Sequence, residues 1–353
     1  MIARTLRGAA AVLAIAAGVG GFSGCANASA DAPLTEVRLG YFATVTHAPA
    51  LIGVSEGLFE EALGPVRLSA QAFGAGPAAI EALSAGAIDA AYVGPSPAIT
   101  TFVQSGGRSA RIVAGAAVGG AALVVRPGIA DADDLRGATL ATPQLGNAQD
   151  VALRTWLRDQ GLSADLRGGG DVAVTPMDSA QTLTLFQQGR IDGAWLPEPW
   201  VSRLVVEGGA HVLVEEASLW PDGVFPTTVL LVRADLIDRH PDAVAALVDG
   251  HGAAVRWIAD HPAEAPAATA DAIAAITGTR LDDTVIARSF LHVGFGTDPV
   301  AGAFEQLVAD GVAAGTQRPG EIGGLFDLRI LNARRAADGL AAVSAAGLGE
   351  DGS

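Results

Sequence analysis

The sequence contains no lysine, so all 22 of its basic residues are arginine. A Schiff-base lysine and the phosphate-cradling lysine of a P-loop are therefore excluded, and the chemistry that depends on them goes too. Cysteine occurs once, at Cys25, which rules out an internal disulfide, a catalytic cysteine pair and a cysteine-rich metal site. The six histidines, His47, His211, His240, His251, His261 and His292, show no HxxxH-type spacing, so no metal site is expected. Positive charge is scarce against 38 acidic residues, and the formal net charge is −16. A surface of that sign predicts no nucleic-acid partner. Beyond the first 24 residues, no apolar run approaches the roughly 20 needed to span a bilayer.

Those first residues have a layout of their own. Arg4 and Arg7 precede an Ala/Val/Leu/Ile/Gly run and then small residues, as in an export signal over residues 1–24. Phe22-Ser23-Gly24-Cys25 resembles a bacterial lipobox, which makes Cys25 the expected lipidated first residue of the mature chain and its link to a membrane. Residues 25–35 then read as a tether. Loss of residues 1–24 would remove two arginines and no acid, leaving 20 basic against 38 acidic residues, a net −18. With a hydrophobic content of 50%, the remainder can bury a large core and is expected to divide into two lobes.

Four strand-to-helix turns organise that remainder. Glu36 to Phe42 alternates as a strand, and Thr44-Val45-Thr46-His47 leads to a helix with Pro49 in its first turn, so His47 falls at the cap. Ile88 to Val93 is a buried strand handing over to Gly94-Pro95-Ser96-Pro97, where Ser96 reads as the cap and Pro97 as the first helical residue. Ala138 to Ala141 precedes Thr142-Pro143-Gln144-Leu145-Gly146-Asn147, with Asn147 as N-cap and Gln149 and Asp150 in the first turn of the helix that follows. Gly193 to Leu196, which carries Trp195, runs into Pro197-Glu198-Pro199-Trp200. Its two prolines end the strand, start the next helix and leave Glu198 on the turn between them. Turns of this kind lie at the carboxyl ends of strands, where open α/β sheets bind ligands. Helix N-termini at His47, Ser96 and Asn147 would offer backbone N–H groups to an anion.

Strands alternate with helices until about residue 230, which predicts an α/β protein with parallel-rich sheets flanked by helices. Leu123-Val124-Val125-Arg126 and Leu230-Leu231-Val232-Arg233 end alike. If both cross between lobes, residues 36–125 and 232–340 form lobe 1 and residues 126–231 an inserted lobe 2, with hinges near Val125 and Leu231. The tail, residues 341–353, is rich in glycine, alanine and aspartate and is expected to fray.

Gly40-Tyr41 with His47-Ala48-Pro49, the block Gly86-Ala87-Ile88-Asp89 through Gly94-Pro95-Ser96-Pro97, the stretch Thr142 to Asn147, and Pro197-Glu198-Pro199-Trp200 together resemble the nitrate/sulfonate/taurine group of ABC-transporter substrate-binding proteins. The likeness covers nearly all of Glu36 to Asn332, with the blocks in the family's order. It implies a two-lobed periplasmic-binding-protein-like fold of type II with two hinge crossings. It also implies a monomer outside the cytoplasmic membrane that delivers a small-molecule ligand to ABC permease subunits and their ATPase, without chemistry and without a cofactor. Thiamine-pyrimidine synthases resembling this family use a lysine-bound cofactor and a cysteine-rich iron motif, whereas this chain has no lysine and a single cysteine. A sensor domain handing ligand occupancy to a membrane partner would use the same cleft.

By the resemblance, Glu198 matches an acid that faces the ligand's amine or hydroxyl in sulfonate- and taurine-like members. Nitrate- and bicarbonate-like members also show Glu-Pro-Trp there, and tend to use a lysine that this chain lacks. The helix N-termini favour an anion, whereas Glu198 would repel one placed beside it in a low dielectric. A ligand with an anionic head and a cationic or hydroxylated end, such as taurine, satisfies both. A neutral, nitrogen-rich pyrimidine or another hydrogen-bond donor is one alternative, and nitrate or bicarbonate on the same fold is another. The candidate ligand residues are His47, Ser96, Asn147, Gln149, Trp195, Glu198 and Thr228.

Overall fold

The computed structural model describes residues 33–352. The expected export signal, Cys25 and most of the tether lie outside the described residues. From Leu34 onward the chain forms one compact unit. Strand β1 (Glu36–Phe42) runs into helices α1 (Ala48–Ser55) and α2 (Leu58–Leu63), β2 (Arg67–Phe73) into α3 (Gly76–Ser84), and β3 (Ala90–Val93) into α4 (Pro95–Gln104), before β4 (Ala110–Gly119). After β5 (Ala121–Val125), the same rhythm returns: β6 (Thr139–Thr142) leads to α5 (Ala148–Asp159), β7 (Ala173–Pro176) to α6 (Ser179–Gln187), and β8 (Gly193–Pro197) to α7 (Trp200–Gly208), followed by β9 (His211–Glu215). The chain then enters β10 (Pro226–Arg233) and helices α8 (Ala234–Arg239), α9 (Pro241–Asp260), α10 (Ala265–Thr277) and α11 (Asp283–His292). It finishes with β11 (Val293–Phe295), α12 (Phe304–Ala313), β12 (Phe326–Asp327), α13 (Arg329–Ala337) and β13 (Gly349–Glu350).

Two mixed sheets result, and both have the same order. The first runs β2-β1-β3-β10-β4-β12-β13, with β11 also paired to β4, and the second runs β7-β6-β8-β5-β9. In each, the fourth strand is antiparallel to both its neighbours, β10 between β3 and β4 and β5 between β8 and β9. Those two strands are also the ones reached by crossing from the other sheet. Being central, they read as nearly continuous apolar runs, AALVV and PTTVLLVR, buried on both faces. Strand β5 shows how one run feeds two layers. Leu123 and Val125 pack with Trp156 and Trp195 on one face, while Ala122 and Val124 pack with Leu183 and Leu204 on the other.

Sheet membership corrects the expected crossing points. Strand β5, through Val125, belongs wholly to the second sheet, and β10, with Leu231, wholly to the first. The chain changes sheet at Gly119–Gly120 and again between Glu215 and Pro226. Gly119 and Gly120 have φ of +72° and +71°, which side chains of L-residues rarely adopt. Two such residues in a row turn the chain out of β4 and directly into β5, a change of direction for which the apolar run on either side gives no signal.

The tail also departs from expectation. Val343, Ala345 and Leu348 are buried in the first core, β13 pairs with β12, and Asn332 donates to the carbonyls of Val343 and Asp351 at 2.9 and 2.7 Å. Three spaced apolar residues and one buried amide are enough to hold a segment whose composition is otherwise that of a loose end. Among the described residues, no helix is long and apolar enough to cross a membrane.

Candidate functional site

Six strand-to-helix turns, three from each sheet, meet at one cavity of about 70 Å³. From the first sheet come Phe42 to His47 after β1, Gly74 to Gly76 after β2, and Gly94 with Pro97 after β3. From the second come Pro143 with Asn147 to Gln149 after β6, Ser179 after β7, and Pro197 with Trp200 after β8. Thr227 on β10 completes the lining. The space is several times the roughly 10–15 Å³ that holds one water, so it suits a small ligand.

His47 is 3% exposed and stacks on Phe42 with ring centroids 4.3 Å apart. The backbone N–H of Phe42 donates to its Nδ1 at 3.2 Å, so the ring proton resides on Nε2. Burial pushes the imidazole pKa down to about 3. His47 is thus a neutral hydrogen-bond donor at physiological pH. Helices α1, α3 and α4 begin without a side-chain cap, which leaves their first-turn N–H groups unclaimed by side chains. In α4, however, Pro95 and Pro97 remove two of the three donors of that turn.

The β6–α5 turn is held by a residue that sequence reasoning noted only as a first-turn acid. Asp150, wholly buried, accepts from Thr142 Oγ1 at 2.9 Å, the Gly146 N–H at 3.0 Å and Arg154 Nε at 3.0 Å. Its own N–H donates to the Asn147 Oδ1 cap at 2.9 Å, and Asn147 Nδ2 donates to Gln149 Oε1 at 3.2 Å. Asn147 and Gln149 are therefore fixed before any ligand arrives.

Of the seven residues expected at the site, His47, Asn147 and Gln149 line the cavity and the other four do not. Helix α4 starts at Pro95 with Gly94 as its cap, two residues earlier than expected, so Ser96 lies inside the first turn, buried, with no partner for its hydroxyl among the described residues. Thr228 is buried behind Thr227, the strand's alternation giving the cavity to the neighbour. Trp195 is in the second sheet's core, where its Nε1 donates to Glu216 Oε2 at 2.6 Å.

Glu198 departs furthest from expectation. Its carboxylate is 1% exposed and accepts from four donors: the Ser202 N–H at 3.0 Å, Ser202 Oγ at 2.9 Å, Arg288 Nη1 at 3.2 Å and Ser289 Oγ at 3.1 Å, the last sharing its one proton with the Val285 carbonyl at 2.7 Å. Burial raises its pKa, and Ser202, Arg288 and Ser289 pull in the opposite direction. Arg288 and Ser289 belong to α11, whose Ile286 packs in the first core. Glu198 therefore ties α7, on the second sheet, to the helical layer of the first. The residues the sequence missed, among them Thr44, Thr46, Ser179 and Trp200, occupy the same strand-end turns as those it found, and the turn after β7 was open to the same reasoning.

Comparison with known proteins adds family and fold. A Brucella abortus protein named as a binding protein is 29% identical over 216 residues, 60% of this chain and 63% of that one, so the chain spans less than two thirds of that relative's length. The taurine-binding periplasmic protein of Escherichia coli is 25% identical over 198 residues, 56% of this chain and 59% of that one. Among solved structures, the alkanesulfonate-binding protein SsuA from Xanthomonas axonopodis pv. citri bound to MOPS superposes with a TM-score of 0.68 at 21% identity, covering 82% of this chain and 96% of that one. The fold is that of type II periplasmic binding proteins, as the shared strand order of the two sheets requires. Residues 30–276 match the model of the NMT1-like family, and the chain belongs to that family.

Proposed function

We propose that this chain is the extracytoplasmic solute-binding protein of an ABC importer and that it captures a small aliphatic sulfonate in the cavity between its two sheets. One observation carries the reading: six strand-end turns, three from each sheet, surround a small space with uncharged donors and, among the described residues, no charged side chain. A sulfonate has three acceptor oxygens and keeps its charge at any physiological pH. The hydroxyls of Thr44, Thr46 and Ser179, the amides of Asn147 and Gln149, the His47 Nε2–H and uncapped helix N-termini suit such a head. The names of the taurine- and alkanesulfonate-binding relatives support the same class. Binding here needs no chemistry and no cofactor.

Because Glu198 is engaged by four protein donors, the amine of taurine has no carboxylate waiting for it. This revises the expectation from the resemblance: ethanesulfonate should bind at least as well as taurine. Calorimetric titration with ethanesulfonate, taurine, nitrate, bicarbonate and a pyrimidine tests the reading. Binding of nitrate, bicarbonate or the pyrimidine alone would overturn it.

The two sheets form the cores of two lobes in this proposal, with hinges at Gly119–Gly120 and in the 216–225 connection, and the ligand holds the lobes closed. Cys25 is the acylated residue that ties the monomer to the membrane beside its permease. A mature chain without acyl mass, or one starting beyond residue 25, would remove the anchor from the proposal.

A further inference from the structure

The larger cavity is not the one where the turns converge. It has a volume of about 650 Å³, within the range of sites for drug-sized ligands, and lies between α5, the 216–226 connection and α12. Ala148 and Gln149 are common to both cavities, so the first turn of α5 separates them. Trp156, Trp220, Phe225 and Leu307 give it apolar walls, and Trp220 is stacked on Phe225 at 6.0 Å with 17° between the rings.

Its charge is of one sign. Glu216, Asp310, Asp159 and Asp222 line it, and among the described residues no arginine or histidine does. Glu216 is 4% exposed, and only its Oε2 has a protein partner, the Trp195 Nε1–H. Among the described residues, no donor reaches Glu216 Oε1. Asp310 takes one bond from Gln306 Nε2 at 2.9 Å, and its charge opposes ionisation of Glu216. The hydroxyl of Thr155, also on the wall, is buried without a partner among the described residues. A carboxylate that is 4% exposed and lies beside a like charge is costly unless something positive meets it from the cavity.

We propose that this cavity is a second binding site and that it takes an organic cation, a substituted ammonium carrying an aromatic or branched alkyl body. The body fills the apolar walls, the tryptophan faces attract the head, and Glu216 and Asp310 neutralise it. An inorganic cation fits poorly, because among the described residues no three acidic, histidine or cysteine side chains cluster to ligate one. The site differs from the anion site in charge and size and shares only Ala148 and Gln149 of its lining.

The test titrates the full chain with benzyltrimethylammonium at pH 8, following tryptophan fluorescence and heat, with benzyl alcohol and benzenesulfonate as controls. Binding of the cation with at least tenfold preference over both controls is expected. Glu216→Gln and Asp310→Asn should each weaken it several-fold, and Leu307→Trp should block it by filling the cavity. Asp310 is only partly buried, so its variant gives a second reading that does not depend on the buried Glu216. His47→Ala should weaken ethanesulfonate binding roughly 10- to 150-fold and leave the cation untouched, so failure of the sulfonate reading shows in a separate titration. No binding at millimolar cation, equal affinity for benzyl alcohol, or indifference to Asp310→Asn with Leu307→Trp would overturn the proposal.

Discussion

Glu198 Oε1 lies 3.2 Å from Arg288 Nη1, and this pair joins a turn of the second sheet to a helix packed on the first. The same carboxylate holds Ser202 and Ser289, so a glutamine in its place keeps one acceptor oxygen and presents an amide to surrounding donors. Removing one partner of a buried charged hydrogen bond costs about 1–3 kcal/mol. Glu198→Gln should therefore lower the melting temperature of the ligand-free protein, and a double-mutant cycle with Arg288→Gln should show coupling. Additive effects of the two substitutions would remove the tie.

In the cavity, His47→Ala deletes a neutral donor held by Phe42, and Asn147→Ala deletes both the α5 cap and the partner of Gln149. A hydrogen bond to a charged ligand contributes about 1.5–3 kcal/mol, equivalent to roughly a 10- to 150-fold loss of affinity. Titration with ethanesulfonate should show losses in that range for both variants. Unchanged affinity in both would mean the ligand lies elsewhere.

The buried histidines set an acid limit on stability. His47 and His251 are held neutral, with pKa values pushed down to about 3 and about 4 by burial. His251 has both ring nitrogens engaged, by Tyr92 Oη and the Gly115 carbonyl, each at 2.7 Å. Because both folded values lie below the unfolded one of 6.5, the stability they contribute is present above pH 6.5 and is lost as pH falls through 4 and 3. Denaturant midpoints should drop steadily below pH 6.5, with proton uptake on unfolding.

Glu216 acts in the opposite sense. Burial raises its pKa from 4.5 to about 7, so its neutral form is favoured by folding, and stability falls as pH rises from 4.5 through 7. The shift corresponds to about 3 kcal/mol. Glu216→Gln keeps an acceptor for Trp195 and should stabilise the ligand-free protein at pH 8 relative to wild type, with the gain vanishing near pH 4. A gain that is the same at both pH values would show that ionisation is not its source.

Gly120→Ala tests the crossing between sheets. A Cβ there would meet Val293 Cγ2 at 2.3 Å, and φ is already +71°. The left-handed conformation costs a non-glycine residue about 1–2 kcal/mol, and the overlap about 1–3 more. A loss of 2 kcal/mol or more, roughly the sum of the lower ends, is the expected outcome of chemical denaturation.

Much of the fold could be read in the sequence because central strands are apolar runs and the helices after them begin with proline, glycine or asparagine. What escaped was phase and partnership. Pro95 and Pro97 both suit a first helical turn, and nothing local says which one opens α4, so Ser96 was misplaced. Thr227 and Thr228 are chemically equal neighbours, and only the sheet decides which faces the cavity. The donors to Glu198 at Arg288 and Ser289 lie 90 and 91 residues away, beyond any periodic pattern. Glu216 went unremarked because its isolation is a property of the cavity and not of its neighbours in the chain.

The shared strand order has a consequence for how the molecule is made. All five strands of the second sheet lie within residues 121–215, so once that stretch has been synthesised its sheet can close on itself. The first sheet has no such freedom: β10, the strand between β3 and β4, ends at Arg233, and β12 and β13 follow only after residue 325. During synthesis, β1 to β4 must wait as two separate fragments, β2-β1-β3 and β4, with the apolar flanks of β3 and β4 uncovered while more than a hundred residues are added. The topology thus lets the inserted part close before the framing part, whose exposed flanks stay open to a chaperone until β10 slots in.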